Sequence, residues 1–136
     1  MRNFDYTVRV RYAETDQMGV VYHGNYAQYF EIGRVEWLRN LGLSYKRMEE
    51  LGIMLPVVSL TMNYKKPAKY DEDLCIRTIF KACKGVKIEF DYELYNQANE
   101  LLTKGYSMLV FVDMKTGRPT VPPAYVVEKI NSMLAE

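Results

Sequence analysis

From Asp5 to Tyr12 the chain alternates, with Tyr6, Val8, Val10 and Tyr12 set against Thr7, Arg9 and Arg11. A period of two predicts a strand with one buried face. The alternation stops in Ala13 to Gly24, which reads as a loop. From Tyr26 the period changes: Tyr26, Phe30, Gly33, Trp37 and Leu41 recur at spacings of three and four, the apolar stripe of a helix, with Glu31, Arg34 and Arg39 placed elsewhere on its surface. Asn25 followed by Gln28 predicts a capping box that starts the helix near Tyr26, and Gly42 supplies its stop. Gly33 costs about 1 kcal/mol relative to alanine inside a helix. Its position within the stripe predicts a sheet packed close against the helix.

Ser44 to Leu51, closed by Gly52, reads as a shorter helix, and four strands follow it. Val58, Leu60, Met62 and Tyr64 alternate with polar residues; Leu74, Ile76 and Phe80 share a face; Val86, Ile88, Phe90, Tyr92 and Leu94 alternate again; the last strand covers Leu101 to Val112. Lys84-Gly85 and Asn96 to Glu100 are turn signals too short for a parallel crossover, so the sheet is predicted to be antiparallel. After the turn at Lys115 to Pro119, Pro122-Pro123 precedes an amphipathic helix carrying Val126, Val127, Ile130, Met133 and Leu134. This order places the chain in the α+β class, as one domain over residues 1–136. One face and the edges of such a sheet lack cover, which predicts at least a homodimer.

Eighteen basic and seventeen acidic side chains give a net charge of +1, so no global field for nucleic acid or an anionic membrane is expected. The polar N-terminus, and the lack of an apolar run near the ~18 residues of a membrane span, predict a cytoplasmic location. Cys75 and Cys83 sit eight apart in one predicted strand, far beyond the ~5.5 Å that a disulfide tolerates, and read as free thiols. With one histidine in the chain, no metal site is expected.

The loop and helix start hold the candidate chemistry. Asp16-x-x-Gly19-x-Val21-Tyr22-His23-x-x-Tyr26, and later Pro67-Ala68-x-Tyr70-Asp71-x-x-Leu74, resemble the 4-hydroxybenzoyl-CoA thioesterase family of hotdog-fold acyl-CoA thioesterases, in order and over nearly the whole length. The resemblance implies a five-stranded antiparallel sheet wrapped around one long helix, dimerised edge to edge, often as a dimer of dimers (a homotetramer), with acyl-CoA at the subunit interface. It implies Asp16 as the catalytic carboxylate and the backbone amide of His23 as the donor that polarises the thioester carbonyl.

The residue types suit that chemistry. A thiolate leaving group, whose conjugate acid has a pKa near ~8.5, departs without a strong acid, so one carboxylate suffices, either attacking the carbonyl or deprotonating water. Unpaired amides at a helix start, with Gly19, Tyr22, Gly24 and Asn25 around them, provide for the oxyanion. Glu31 and Glu36 in the helix are rival carboxylates, read as solvated or salt-bridged, and Glu14 as a loop or interface charge. Lys81, Lys84 and Lys87 at one turn are candidates for the CoA phosphates, and Lys65, Lys66 and Lys69 form a second cluster. No cofactor is expected, since coenzyme A is part of the substrate. A hotdog hydratase or dehydratase, and a non-catalytic acyl-CoA-binding protein, are the alternatives. The acyl group is left open.

Overall fold

The structure is a computed structural model that describes residues 2–136. Its elements in chain order are β1 (Asn3–Arg9), α1 (Tyr26–Asn40), α2 (Tyr45–Glu50), β2 (Ile53–Met54), β3 (Val57–Tyr64), β4 (Asp73–Lys84), β5 (Lys87–Tyr95), β6 (Leu101–Val110), β7 (Val112–Asp113), β8 (Arg118–Pro119) and α3 (Ala124–Leu134). Five strands form one antiparallel sheet in the order β1-β4-β5-β6-β3, with α1 across one face, the α+β architecture that the periodicities predict. The first strand is shifted from its expected bounds. It begins at Asn3 and ends at Arg9, and Tyr12 sits in a following 3-10 turn, 78% exposed.

Alternation along the sheet sets the core. Leu74, Ile76, Thr78 and Phe80 of β4 and Ile88, Phe90, Tyr92 and Leu94 of β5 are buried, while their neighbours stay partly exposed. Phe30 stacks on Tyr92 with centroids 4.6 Å apart, and Trp37 lies flat on Phe80 at 5.6 Å and edge-on to Phe90 at 5.0 Å. Burying a side chain such as Phe30 is worth roughly 1.5–3 kcal/mol. Gly33 has the close neighbour its position predicts: a Cβ there would run into Thr78 Oγ1 and lie 2.7 Å from Ile76 Cγ2.

Arg34 departs from expectation. It belongs to the buried side of α1, 6% exposed, where its Nε donates to Tyr45 Oη and its Nη1 to Tyr92 Oη, each at 3.2 Å. Tyr92 Oη and Ser107 Oγ share a further hydrogen bond of 2.6 Å. A buried guanidinium is tolerated because its donors find acceptors, one at the start of α2 and one on β5, distant in sequence. Burial pushes the Tyr92 hydroxyl up to about 12.

Ser44 Oγ accepts from Arg47 N at 3.1 Å and caps α2, a bond typically worth about 1 kcal/mol. Val126, Ile130 and Met133 bury one side of α3; Val127 and Leu134, expected on the same face, are 36% and 40% exposed. A three-stranded sheet β2-β7-β8 was not predicted, its strands being only two residues long. Cys75 and Cys83 are free, and burial raises both thiols. Among the described residues no helix is long and apolar enough to cross a membrane.

Two features of the sheet bear on function. β3 is an edge strand whose Val58, Leu60 and Tyr64 are 55%, 43% and 48% exposed. The turn between β4 and β5 lies at the end of the sheet remote from the start of α1. β4 has twelve residues, which at about 3.3 Å per residue separates its two ends by roughly 36 Å.

Candidate active site

The site grows out of a tight loop. Asp16 N donates to Val20 O at 2.9 Å, Gly19 N donates to Asp16 O at 3.1 Å, and Asp16 Oδ1 accepts from Met18 N at 2.8 Å and Val20 N at 3.4 Å. Aspartate favours this geometry because its side chain can take the place of a backbone acceptor. Gly19, at φ +75°, supplies the left-handed residue that closes the turn. One carboxylate oxygen, Oδ1, is thereby engaged, and Oδ2 accepts no hydrogen bond among the described residues.

The loop docks on the second sequence motif. Val21 N donates to Ala68 O at 2.8 Å, Tyr70 N to Gly19 O at 3.0 Å, and Ala68 N to the buried Tyr26 hydroxyl at 3.1 Å. The two stretches that carry the family resemblance are therefore bonded to each other and to the first residue of α1.

A 3-10 turn, His23–Asn25, leads directly into α1. Asn25 does not form the expected capping box: it is helical (φ −85°, ψ −13°), makes no side-chain cap bond, and its Nδ2 donates to Glu14 O at 2.8 Å. The start of the helical run is instead at Tyr22, whose own amide donates to Glu14 O at 3.0 Å, while Asn25 N donates to Tyr22 O at 2.9 Å. Between them the amides of His23 and Gly24 have no acceptor among the described residues. These are the orphan donors of a helix start, at its positive end.

A cavity of about 310 Å³ opens here, lined by Asp16, Val21, His23, Tyr26, Tyr64 and Pro67, with Lys65 and Lys66 beside it. The His23 ring is stacked with Tyr22 at 5.7 Å and tilted against Tyr64 at 5.5 Å, and Tyr64 meets Tyr26 edge-on at 5.2 Å. Tyr64 Oη donates to His23 O at 3.3 Å. Burial raises the Tyr26 hydroxyl above its ordinary range. Gly24 lies against the Tyr22 ring.

Of the residues singled out by sequence, Asp16 and His23 line this cavity, and Gly19, Tyr22, Gly24 and Asn25 belong to the loop and turn that carry them. Lys81, Lys84 and Lys87 do neither: they lie at the far end of β4 and β5, with Lys81 Nζ 3.9 Å from Asp91 and above the Tyr106 ring. The lysines at the cavity come from the second cluster, and of these Lys66 pairs with Glu100 at 2.5 Å. Glu36 pairs with Arg39 at 2.8 Å, and Glu31 is exposed. Among the described residues no group of three or more His, Cys, Asp or Glu is placed to hold a metal ion.

Glu14, read as a loop or interface charge, is 7% exposed. Burial, the largest influence on its carboxyl, favours the protonated form, but hydrogen bonds from Arg11 N, the Tyr29 hydroxyl and the Arg11 guanidinium outweigh it and leave the group below its ordinary range. The sequence signal was an acid three residues after an arginine, too common to single out. Tyr64 and Pro67 were also missed as cavity residues: the register of β3 brings Tyr64 there, and Pro67 follows it beside Ala68, which bonds to the loop.

Fold and site together define a hotdog protein with a loop carboxylate and a helix start bordering one cavity. The chain belongs to the Thioesterase-like superfamily, whose family model matches residues 10–130. It is 42% identical to YneP of Bacillus subtilis over 112 residues, covering 82% of this chain and 81% of that one. It is also 32% identical to the acyl-CoA thioester hydrolase YbgC of Escherichia coli over 124 residues, 91% of this chain and 92% of that one. Among solved structures, the DHNA-CoA thioesterase of Staphylococcus aureus superposes with a TM-score of 0.93 at 36% identity, over 99% of this chain and 93% of the other.

Proposed function

We propose that the protein is a cytoplasmic acyl-CoA thioesterase, one hotdog unit over residues 1–136, that hydrolyses an acyl-CoA to free acid and CoA. The observation that carries this reading is the Asp16 carboxylate at the cavity, with Oδ2 unengaged, beside the unpaired amides of His23 and Gly24. The likeness to a thioester hydrolase and to a DHNA-CoA thioesterase supports it.

The thioester carbonyl lies with its oxygen toward the His23 and Gly24 amides, where negative charge develops. Removing one such donor typically costs about 3 kcal/mol. Asp16 either attacks the carbonyl carbon, expelling CoA thiolate and leaving a mixed anhydride that water then cleaves, or takes a proton from a water that attacks in its place. Both routes end in the same products. His23 lines the cavity with its ring stacked on Tyr22, and the histidine acts chiefly through its main chain.

Recognition of the CoA phosphates by Lys81, Lys84 and Lys87 requires a second copy. Within one protomer these lysines and Asp16 sit at opposite ends of the sheet, but antiparallel pairing of β3 with the β3 of a partner reverses the second sheet. The partner's Lys84-Gly85 turn then stands at the Asp16 end. The exposed apolar edge of β3 favours that pairing into a dimer, or a dimer of dimers.

The test is hydrolysis of short, long and aromatic acyl-CoAs with detection of free thiol, using the wild-type protein and Asp16→Asn. Thiol release that falls about 10²-fold or more in the variant is expected. Equal rates in the two proteins remove Asp16 from the mechanism. Binding without turnover, or gain or loss of an α,β double bond without free CoA, overturns the thioesterase reading.

A further inference from the structure

Glu14 bonds at once to the residue after the first strand, to the loop turn and to α1, whereas the bonds of Asp16 stay within its own turn. Its Oε1 accepts from Arg11 N and from the Tyr29 hydroxyl, both at 2.8 Å, and its Oε2 from Arg11 Nε at 3.1 Å. Its carbonyl accepts from Tyr22 N at 3.0 Å and Asn25 Nδ2 at 2.8 Å. Arg11 lies just after β1, Tyr29 is in α1, and Tyr22 and Asn25 flank His23 and Gly24. One buried residue, two positions before Asp16, thus ties the strand end and the first turn of α1 to both sides of the turn that carries the unpaired amides.

The arrangement has a directional consequence. Tyr22 N and Asn25 Nδ2 converge on a single carbonyl, which leaves the His23 and Gly24 amides between them facing outward. The carboxylate of the same residue then fixes where that carbonyl stands relative to α1. We infer that Glu14 is a positioning residue for hydrolysis: it sets the placement of Asp16 relative to the His23 and Gly24 amides without touching substrate. This inference rests on the thioesterase reading.

Displacement of a reacting group by 1 Å can cost about 10²-fold in rate, whereas uniform binding of substrate is little affected by it. Glu14→Gln keeps an oxygen for Arg11 N and Tyr29 Oη but sets an amide NH₂ against the Arg11 guanidinium. Tyr29→Phe leaves Glu14 intact and removes its tie to α1, so it serves if the first variant fails to fold. Each variant is expected to lose about tenfold or more in kcat with KM changed less than about threefold. Hydrogen exchange should accelerate at the bonded amides of Tyr22, Asn25 and Tyr26 and stay unchanged in β4 and β5. The assay is run well below the unfolding midpoint of every protein, beside wild type and Asp16→Asn. If both variants fold and retain kcat within twofold, or exchange faster throughout the sheet with kcat preserved, Glu14 holds the fold only and the inference is overturned. Absence of thiol release from wild type overturns the thioesterase reading itself, a different result from an active wild type with an active Glu14→Gln.

Discussion

Two regions meet at α1 and are held together by different forces. On the sheet side, Phe30, Gly33 and Trp37 pack on β4 and β5 through rings and close backbone contact, with the Arg34 hydroxyl network the main polar feature. At the start of the helix, residues 13 to 25 are held by single directional bonds: Asp16 to Val20, Val21 to Ala68, Tyr22 and Asn25 to Glu14. Apolar packing spreads its energy over many contacts and tolerates no void, whereas a loop of single bonds keeps its donors and acceptors aimed and contributes little to the core. Changes on the sheet side should therefore cost stability, and changes in the loop should cost rate.

The largest effect is expected on the sheet side. Trp37 is 2% exposed and in contact with two aromatic rings, and Trp37→Ala should destabilise by about 3–5 kcal/mol through lost burial and the cavity left behind. Denaturant unfolding measures this, and the fraction that remains folded should hydrolyse substrate at close to the wild-type rate. A variant with normal stability and no activity would show that the two regions are not separable.

Asp16→Asn is the converse. Asparagine retains Oδ1 as acceptor for Met18 N, so the loop and the unfolding midpoint should be kept, while the rate falls about 10²-fold, equivalent to about 2.7 kcal/mol. A midpoint that drops along with the rate would mean that Asp16 serves the loop more than the chemistry.

The same contrast governs what could be read from sequence. The sheet side was legible because its pattern is periodic: Gly33 inside the stripe announced the close approach of Ile76 and Thr78, and Lys84-Gly85 announced a turn, realised with Gly85 at φ +61°. Arg34 was misplaced because its acceptors, the hydroxyls of Tyr45 on α2 and Tyr92 on β5, lie on other elements that the period of α1 does not reveal. In the loop, the identity of the candidate residues was visible since they are contiguous, but their bonding was not. Asn25 was assigned a local cap, and the competing carbonyl of Glu14, eleven residues earlier, won its amide instead. β2, β7 and β8 are too short to carry a period at all.

Glu14 belongs to the loop by sequence yet is as buried as the core, which makes its response to pH a sharper probe. Its carboxyl is held below the ordinary range, so it contributes stability above its unfolded pKa of roughly 4.3, and that contribution is lost as pH falls through the lower folded value. The difference in thermal midpoint between wild type and Glu14→Gln should be constant above about pH 5 and close as the pH is lowered below the unfolded pKa. A difference that widens on acidification would reverse the sign and show that burial of the carboxyl, rather than its hydrogen bonds, controls it.

The smallest effect is expected where the regions touch. Tyr64 ends β3, yet its hydroxyl donates to His23 O at 3.3 Å and its ring rests on His23 and Tyr26. The bond is solvent-exposed, and the same carbonyl already accepts from Tyr26 N, so loss of the hydroxyl strands no buried group. A hydrogen bond of this kind contributes about 0.5–1.5 kcal/mol. Tyr64→Phe keeps the ring, and because water replaces an exposed bond the loss of stability should stay at the low end of that range, while the freer His23 turn reduces kcat by about two- to fivefold. If Tyr64→Phe instead lowers the midpoint and spares the rate, the hydroxyl belongs to the sheet. If it costs as much rate as Asp16→Asn, the turn at His23 is held chiefly from β3, and the loop is less independent of the sheet than its bonds indicate.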